Sequence, residues 1–311
     1  QLAVLLPVYA AHVCWLSQLS LGGIIGRRCP ALVAELGVEN LIGAAALVGA
    51  SRLAQNDGAR AEGRPWAAVR ASRQTLVCTM GALTAAYLLS GYAASLAEQV
   101  VSAAAGMGLQ GLSHPGRQRA LQVLAGHLTW VWMAMRVLRM RLAPFLPPPL
   151  GRGSWMSYRV RSLWLPWAIS GYFISLLAYN AVDQLNMLLL PPEDLVSDSI
   201  VAQLVRPEES DMIAVGIGSI GPCFTAPVFE EVLYRGFLLP ALTRFFPLSV
   251  AVPLHSFIFG LHHHSLKGLL PLSALGLVWA LAYVASGNLI VPIVIHAMWN
   301  ARIFLSSLLL A

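Results

Sequence analysis

Two adjacent glutamates, Glu230 and Glu231, lie in an apolar segment of this 311-residue chain. The segment covers residues 226–240. Arg235 follows Glu231 by four residues, so on a helix the two share a face and can form a charge-assisted pair. Glu230 points about 100° away from Glu231. Because an unpaired buried charge is costly, Glu230 needs a proton, a water molecule or another partner. Ionisable groups inside a membrane-spanning helix are candidates for function.

Two later apolar segments carry side chains of complementary type. The run of three histidines at 262–264 spreads over most of a helix circumference, so at most one or two can face a given site. His296 and Asn300 are four residues apart on the last apolar segment, which places them on one helical face. Two glutamates, two histidines, an arginine and an asparagine on three apolar helices predict one shared polar site.

This set of residues favours hydrolysis by an activated water molecule. A carboxylate in a low-dielectric site has a raised proton affinity and suits general-base work on water. A nearby histidine can share that water or donate a proton to a leaving amine, and amide and imidazole N–H groups can stabilise an oxyanion. The sequence holds neither a GxSxG nucleophile motif nor HExxH. A zinc or iron site is the alternative, because glutamate and histidine are also metal ligands.

The composition places these segments in a membrane. Hydrophobic residues make up 57% of the chain and charged residues only 11%, whereas soluble domains are about a quarter charged. A spanning helix needs about 20 largely apolar residues, so the chain has room for about eight or nine. We therefore predict an all-α, polytopic transmembrane helical bundle. The candidate spans are residues 2–26, 31–50, 75–97, 120–135, 163–190, 212–240, 247–262, 268–285 and 289–310.

Basic residues are concentrated in three of the predicted loops. Segments 51–73, 136–162 and 241–247 hold twelve of them, and alternating spans would place all three on the cytosolic side or its organellar equivalent. No basic helix and no interleaving of aromatic with basic residues indicates a nucleic-acid partner. The four cysteines form no CxxC pair, so neither a disulfide framework nor a thiolate metal site is expected.

The stretch 147–162, rich in Pro, Gly and Arg, is the clearest internal boundary. It predicts an N-terminal membrane region at residues 1–150 and a second region at residues 151–311, with the polar motifs inside 226–300.

Other charged residues in or beside the spans are weaker candidates. Glu35 and Glu39 share one helical face, which must turn toward the bundle interior or the interface. Asp183 and Arg302 lie within about two turns of a span end, so we expect both side chains to reach toward the interface.

The polar segments resemble the motifs of the CPBP intramembrane protease family, which includes the eukaryotic CAAX prenyl endopeptidases and the bacterial Abi-type proteins. The resemblance covers about residues 210–305, and three ordered motifs on apolar helices make it specific. The family motifs EExxxR, FxxxH and HxxxN match, in order, Glu230, Glu231, Arg235, Phe259, His263, His296 and Asn300.

The resemblance implies a metal-independent, glutamate-type endopeptidase without a cofactor, built on a CAAX-protease-like helical core. It implies that Glu230 and Glu231 activate water and that Arg235 orients the glutamate pair. It further implies that His263 assists the water.

The same resemblance implies supporting roles for the remaining motif residues. His296 and Asn300 would form the oxyanion site, and Phe259 would position its motif. His262 and His264 are extra to the pattern, and we expect them at a rim or interface position.

Segments 269–278 and 287–292 resemble plant and cyanobacterial members of the family more than the prenyl-processing enzymes. This resemblance implies a multi-pass protein of a chloroplast membrane, thylakoid or inner envelope. Another organellar membrane or a bacterial inner membrane is the alternative. The expected partners are the lipid bilayer and a membrane-associated protein substrate. Residues 1–160 match no named family and could dock a partner as part of a membrane complex.

A second function class uses the same core without catalysis. The chain could be a membrane scaffold or assembly factor that keeps the protease-like core and binds other membrane proteins. A transporter would predict paired broken helices or an inverted repeat, and the sequence has neither.

Overall fold

The computed structural model describes residues 1–20, 37–56, 71–112, 114–145, 158, 160, 164–191, 200–205 and 211–310. Every regular element of these residues is helical, apart from one isolated bridge between Ser20 and Gly37. The all-α prediction is confirmed. The helices are α1 (Leu2–Cys14), α2 (Val38–Asn56), α3 (Arg73–Gly106), α4 (Pro115–Leu142), α5 (Leu165–Leu189), α6 (Ile200–Val205), α7 (Met212–Leu242), α8 (Leu248–Leu261), α9 (Leu266–Ser286) and α10 (Ile290–Leu310).

Four of these helices are long and apolar enough to cross a membrane, namely α3, α5, α7 and α9. Shorter apolar helices cover Leu2–Gln18, Leu248–Leu261 and Ile290–Ser306. The chain is an integral membrane protein. Since a strip of apolar side chains faces outward along α3, including Tyr92 and Leu96, lipid is the natural solvent for this surface.

Most of the nine predicted spans coincide with a helix, but the first two were wrong in extent. The first helix ends at Cys14 instead of residue 26, and a 3₁₀ turn, Leu16–Gln18, follows it. The second begins at Val38 and continues to Asn56. Hydropathy reports how apolar a stretch is and not where its backbone hydrogen bonds stop. Glu35 and most of the predicted boundary at 147–162 lie outside the described residues.

Helices from both halves of the chain share one core. α3 packs on α4, α2 on α5, and α8 on α9, while α5 also contacts α9 and α10. One cluster of buried apolar side chains extends from Leu76 on α3 through Trp167 on α5 to Trp299 on α10. The elements that carry the polar motifs, α7 to α10, are therefore held in place by the N-terminal helices.

The start of α7 is fixed to α4 by a partly buried ion pair. Asp211 caps α7 by accepting hydrogen bonds from the backbone N–H groups of Ile213 (2.9 Å) and Ala214 (3.4 Å). Arg117 on α4 donates to the same carboxylate. The Arg117 guanidinium, together with the two backbone donors, holds the pKa of Asp211 below its usual value.

The close approach of α8 and α9 depends on Gly260. A Cβ atom at this position would lie 2.4 Å from Ser273 Oγ and 2.6 Å from the backbone oxygen of Leu269. Neither distance is tolerated, and the backbone oxygen cannot move without shifting α9. Any larger residue would separate the two helices that flank the histidine turn.

We expect Gly260→Ala to lower the free energy of unfolding by about 1–3 kcal/mol, because it overpacks the α8–α9 contact. Gly81→Ala on α3 is the matched control, since no described atom lies within 4 Å of the added Cβ. The control should be neutral or raise stability by up to about 1 kcal/mol. Thermal unfolding of both variants in one detergent checks this, and equal effects would contradict the packing argument.

Candidate active site

Glu231 is the centre of the polar cluster. Its side chain is fully buried, and its Oε1 accepts a hydrogen bond from Arg235 Nη1 at 2.9 Å. The same oxygen lies 2.9 Å from His296 Nδ1. Because the carboxylate oxygen can only accept, Nδ1 carries the proton of this contact. One oxygen atom of α7 thus joins the first and third motifs.

Arg235 is also fully buried, and it is held by hydrogen bonds from both terminal nitrogens, although its Nε has no partner among the described residues. Its Nη2 donates to the backbone oxygen of Gly276 on α9 at 3.1 Å. Its guanidinium carbon lies 4.7 Å from the ring centre of Phe259 and 5.4 Å from that of Trp279. These cation–π contacts partly replace the hydration that burial removes. Arg235 therefore locks the orientation of Glu231, while no hydrogen bond links it to Glu230.

Two carboxylate oxygens of the glutamate pair have no partner within the described residues. They are Oε2 of Glu230 and Oε2 of Glu231, and both atoms are buried. A buried acceptor without a donor is unusual in native proteins and calls for an explanation. Since Glu231 is held through its other oxygen, Glu230 is the carboxylate of the pair that is free to exchange a proton.

His296 is oriented by stacking as well as by Glu231. Its ring centre lies 4.4 Å from that of Trp279 on α9, with the planes tilted by 33°. With Nδ1 committed to Glu231, the ring presents Nε2 as its second polar atom.

His263 lies just beyond α8, in the turn toward α9, and not on the helix that the sequence predicted. Its Nδ1 contacts the backbone oxygen of Phe259 at 2.8 Å. A carbonyl oxygen only accepts, so Nδ1 is protonated and Nε2 of the neutral ring is an acceptor. The Phe259 ring lies 4.9 Å from the His263 ring and 6.3 Å from the His296 ring. Phe259 thereby separates the two histidines at a fixed distance.

The length of α8 explains how a turn can hold part of this cluster. α8 has 14 residues and is roughly 21 Å long, whereas the apolar core of a bilayer is about 30 Å thick. A helix that enters at the membrane surface near Leu248 would therefore end inside the apolar layer. The His263 turn then lies at membrane depth, where an irregular backbone is tolerated only when protein surrounds it.

Asn300 is tied to a gap in the hydrogen bonding of α7. Its Nδ2 donates to the backbone oxygen of Pro222 at 2.7 Å. Residues Gly221–Thr225 form a π-helical turn, in which Ala226 N–H bonds the oxygen of Gly221. The donor for Pro222 would then be residue 227, which is proline and has no N–H. The side chain of Asn300 fills the place of this missing donor.

A second π-helical segment, Val232–Leu238, follows the glutamate pair directly. Both glutamates therefore sit in a short stretch of α-helix, Ala226–Glu231, between two wider turns. Such insertions are frequent at functional sites. The two π-helical turns were not predicted, although three prolines at 222, 227 and 240 mark α7 as an irregular helix.

The extra histidines contact Tyr87 on α3. Tyr87 OH lies 3.1 Å from His264 Nε2, and the Tyr87 ring centre is 4.7 Å from that of His262. His264 has a positive φ of 50°, which is uncommon for a residue other than glycine. The expectation of a rim position for both histidines stays a prediction. Tyr87 itself was missed, because a tyrosine in an apolar helix carries no sequence pattern.

His255 was missed as well. It is fully buried on α8, its ring lies 5.8 Å from that of Tyr234, and neither ring nitrogen has a hydrogen-bond partner among the described residues. His255, Phe259 and His263 follow each other at intervals of four, the spacing of one helical face. That spacing is the signal that could have identified it.

The described residues contain no group of three or more His, Cys, Asp or Glu side chains that could hold a metal ion. Arg235 and His296 donate to the Glu231 carboxylate, and His263 donates to the backbone oxygen of Phe259.

Comparison with known proteins points to one family. The family model for type II CAAX prenyl endopeptidase Rce1-like proteins matches residues 214–302. The chain is 26% identical over 147 residues to the membrane-embedded CAAX protease MroQ of Staphylococcus aureus, covering 47% of this chain and 59% of MroQ. It is 30% identical over 143 residues to the putative membrane peptidase YdiL of Bacillus subtilis, covering 46% of this chain and 56% of YdiL. The chain thus spans less than two thirds of either relative. No solved structure matches.

The roles of Arg235 and Glu230 can be compared by their effects on protein stability, without a substrate. We expect Arg235→Met to lower the free energy of unfolding by about 3–5 kcal/mol, because it leaves the buried Glu231 charge with one partner fewer. Glu230→Gln should cost far less or stabilise the protein, since it removes a charge that has no partner. Unfolding of both variants in mixed micelles measures the difference. Equal losses would contradict the separate roles of the two glutamates.

Proposed function

The chain belongs to the CPBP family of CAAX-protease-like membrane proteins, and from this membership we propose that it is an intramembrane endopeptidase. It hydrolyses a peptide bond of a membrane-associated protein with a water molecule that the glutamate pair activates. The proposed core is residues 151–311, and residues 1–150 form a membrane region that supports it and could bind a partner.

One observation carries this proposal: two buried carboxylate oxygens of consecutive residues have no donor in the described protein. A water molecule needs two to four polar partners to be held in a buried site. Glu230 Oε2 and Glu231 Oε2 are two acceptors of the right kind. A water bound by them would lie in a low-dielectric setting, where a carboxylate is an effective general base.

The proposed roles follow from which atoms are already committed. Glu230 takes a proton from water as the oxygen attacks the peptide carbonyl, because Glu231 is held by Arg235 and His296. The tetrahedral intermediate carries an oxyanion, and the groups proposed to lie beside it are His296 Nε2 and the Asn300 amide. The proton then passes to the leaving amine, with His263 Nε2 as the group that can relay it.

Asn300 can offer only one of its two amide hydrogens to the proposed oxyanion site. One hydrogen of its amide group is committed to Pro222, which leaves the second hydrogen as a donor. The bond to Pro222 fixes the direction of that second N–H, so Asn300 needs no reorientation during the reaction. Phe259 positions Arg235 and both histidines through its ring.

The reaction proposed here is metal-independent, because each polar group of the cluster has a role without a metal ion. The proposal places the protein in a plastid membrane, thylakoid or inner envelope. It rests on the likeness of segments 269–278 and 287–292 to plant and cyanobacterial sequences.

The decisive experiment is cleavage of candidate membrane-protein substrates by the full chain in proteoliposomes. We expect Glu230→Gln to lower kcat/KM by about 10²–10⁴-fold, the usual contribution of a general base. Glu98→Gln is the matched control, because Glu98 is exposed on α3 and bonds only Gln122 among the described residues. The control should keep full activity.

Three results would overturn the proposal. Unchanged cleavage by Glu230→Gln would remove Glu230 as the base, and loss of cleavage with a chelator that zinc restores would indicate a metal-dependent reaction. If Glu230→Gln restored every phenotype of a deletion strain, the scaffold function would replace catalysis.

A further inference from the structure

A polar cavity of about 300 Å³ lies between residues 17–20, which follow α1, and the helices α2, α5 and α10. Its lining includes three charged side chains, Glu39, Asp183 and Arg302, together with the amides of Asn180 and Gln184. None of the proposed catalytic residues lines it. The volume is at the lower end of the range found for ligand sites.

Glu39 is the fixed part of this cavity. Its Oε2 lies 2.6 Å from His12 Nε2, and its Oε1 accepts from Arg302 Nη2 at 3.1 Å. The other nitrogen of His12 lies 3.0 Å from the hydroxyl of Tyr172. This network joins α1, α2, α5 and α10, and both oxygens of Glu39 are satisfied within it. Arg302 therefore pairs inside the bundle, where the sequence analysis expected it to reach for the interface.

Asp183 is the unsatisfied part. It makes no hydrogen bond or ion pair with the described residues, and its Oδ1 is buried. Arg302 has donors left over, because only Nη2 is bonded, and its Nε is buried without a partner. The lining thus offers one carboxylate and part of one guanidinium to a ligand. Since Arg302 already balances Glu39, Asp183 leaves an excess of one negative charge.

The mouth of the cavity lies among outward-facing apolar residues. The lining residues Leu19 and Met187 are 45% and 53% exposed, and Leu188, next to Met187 on α5, is 75% exposed. A polar ligand with attached acyl chains suits this combination of a charged cavity and an apolar rim.

We propose that this cavity binds the phosphoethanolamine headgroup of a phospholipid. The primary ammonium pairs with Asp183, the phosphate accepts from Arg302, and the amides of Asn180 and Gln184 bond the remaining oxygens. A choline headgroup fits less well, because a quaternary ammonium donates no hydrogen bond and is normally held by aromatic rings, which the lining lacks among the described residues. An anionic headgroup without an amine would be repelled by Asp183.

The binding test uses the full chain, delipidated and returned to phosphatidylcholine nanodiscs that contain phosphatidylethanolamine, phosphatidylglycerol or a galactolipid. Native mass spectrometry measures which lipid stays bound. We expect retention of phosphatidylethanolamine, weakened by about 10–100-fold in Asp183→Asn, the range for a hydrogen bond to a charged group. Glu98→Gln removes one exposed charge elsewhere and should bind as the wild type does.

A second variant protects the test from effects on folding. Gln184→Trp fills the cavity without touching a charge and should abolish retention while the unfolding temperature in detergent changes little. Soluble phosphoethanolamine distinguishes the two sources of the headgroup. If it binds while the lipid is not retained, the proposed lipid is wrong and the site belongs to a small molecule.

Other outcomes overturn the proposal directly. Equal retention of phosphatidylcholine, preference for the galactolipid, or unchanged retention in Asp183→Asn would each exclude a headgroup amine at Asp183. Peptidase activity is not part of the readout, so failure of this proposal leaves the proposed catalytic role of Glu230 untouched.

Discussion

The site depends on a single buried oxygen atom. Glu231 Oε1 accepts from Arg235 and from His296, and Arg235 continues the chain of bonds to the backbone of Gly276. Three helices, α7, α9 and α10, are thereby joined through groups that would each be unstable if buried alone. The packing of the helices and the pairing of the charges depend on each other, because any shift of one helix would separate a buried ion pair.

Features that depend on residues close together in the sequence could be predicted, and features that depend on contacts between distant residues could not. Most helices were predictable, because hydropathy is a local property, and the Glu231–Arg235 pair followed from a spacing of four. The link between Glu231 and His296 depends on tertiary packing across 65 residues, so the sequence indicated a shared site but no partner. The histidine turn was placed on a helix because no glycine or proline stands between the end of α8 at Leu261 and the start of α9 at Leu266. The division near residue 150 stays a prediction, and buried side chains from both of its halves meet in one core.

The buried polar side chains of α1 and α2 also satisfy one another. His12 and Glu39 would each be costly in an apolar bundle, and together with Arg302 they form one satisfied network. That network ties α1 and α2 to α10, the helix that carries His296. The catalytic proposal and the lipid proposal concern different sites. Both sites include a residue of α10, His296 in one and Arg302 in the other.

The bond between Asn300 and Pro222 has an evolutionary consequence. Proline at 227 removes the donor that Pro222 would otherwise use, and Asn300 supplies a substitute from another helix. A related chain with an ordinary residue at 227 could close the gap within α7 and would no longer need an amide at 300. The two positions should therefore be inherited as a pair, and a lineage that has lost one should show relaxed selection on the other.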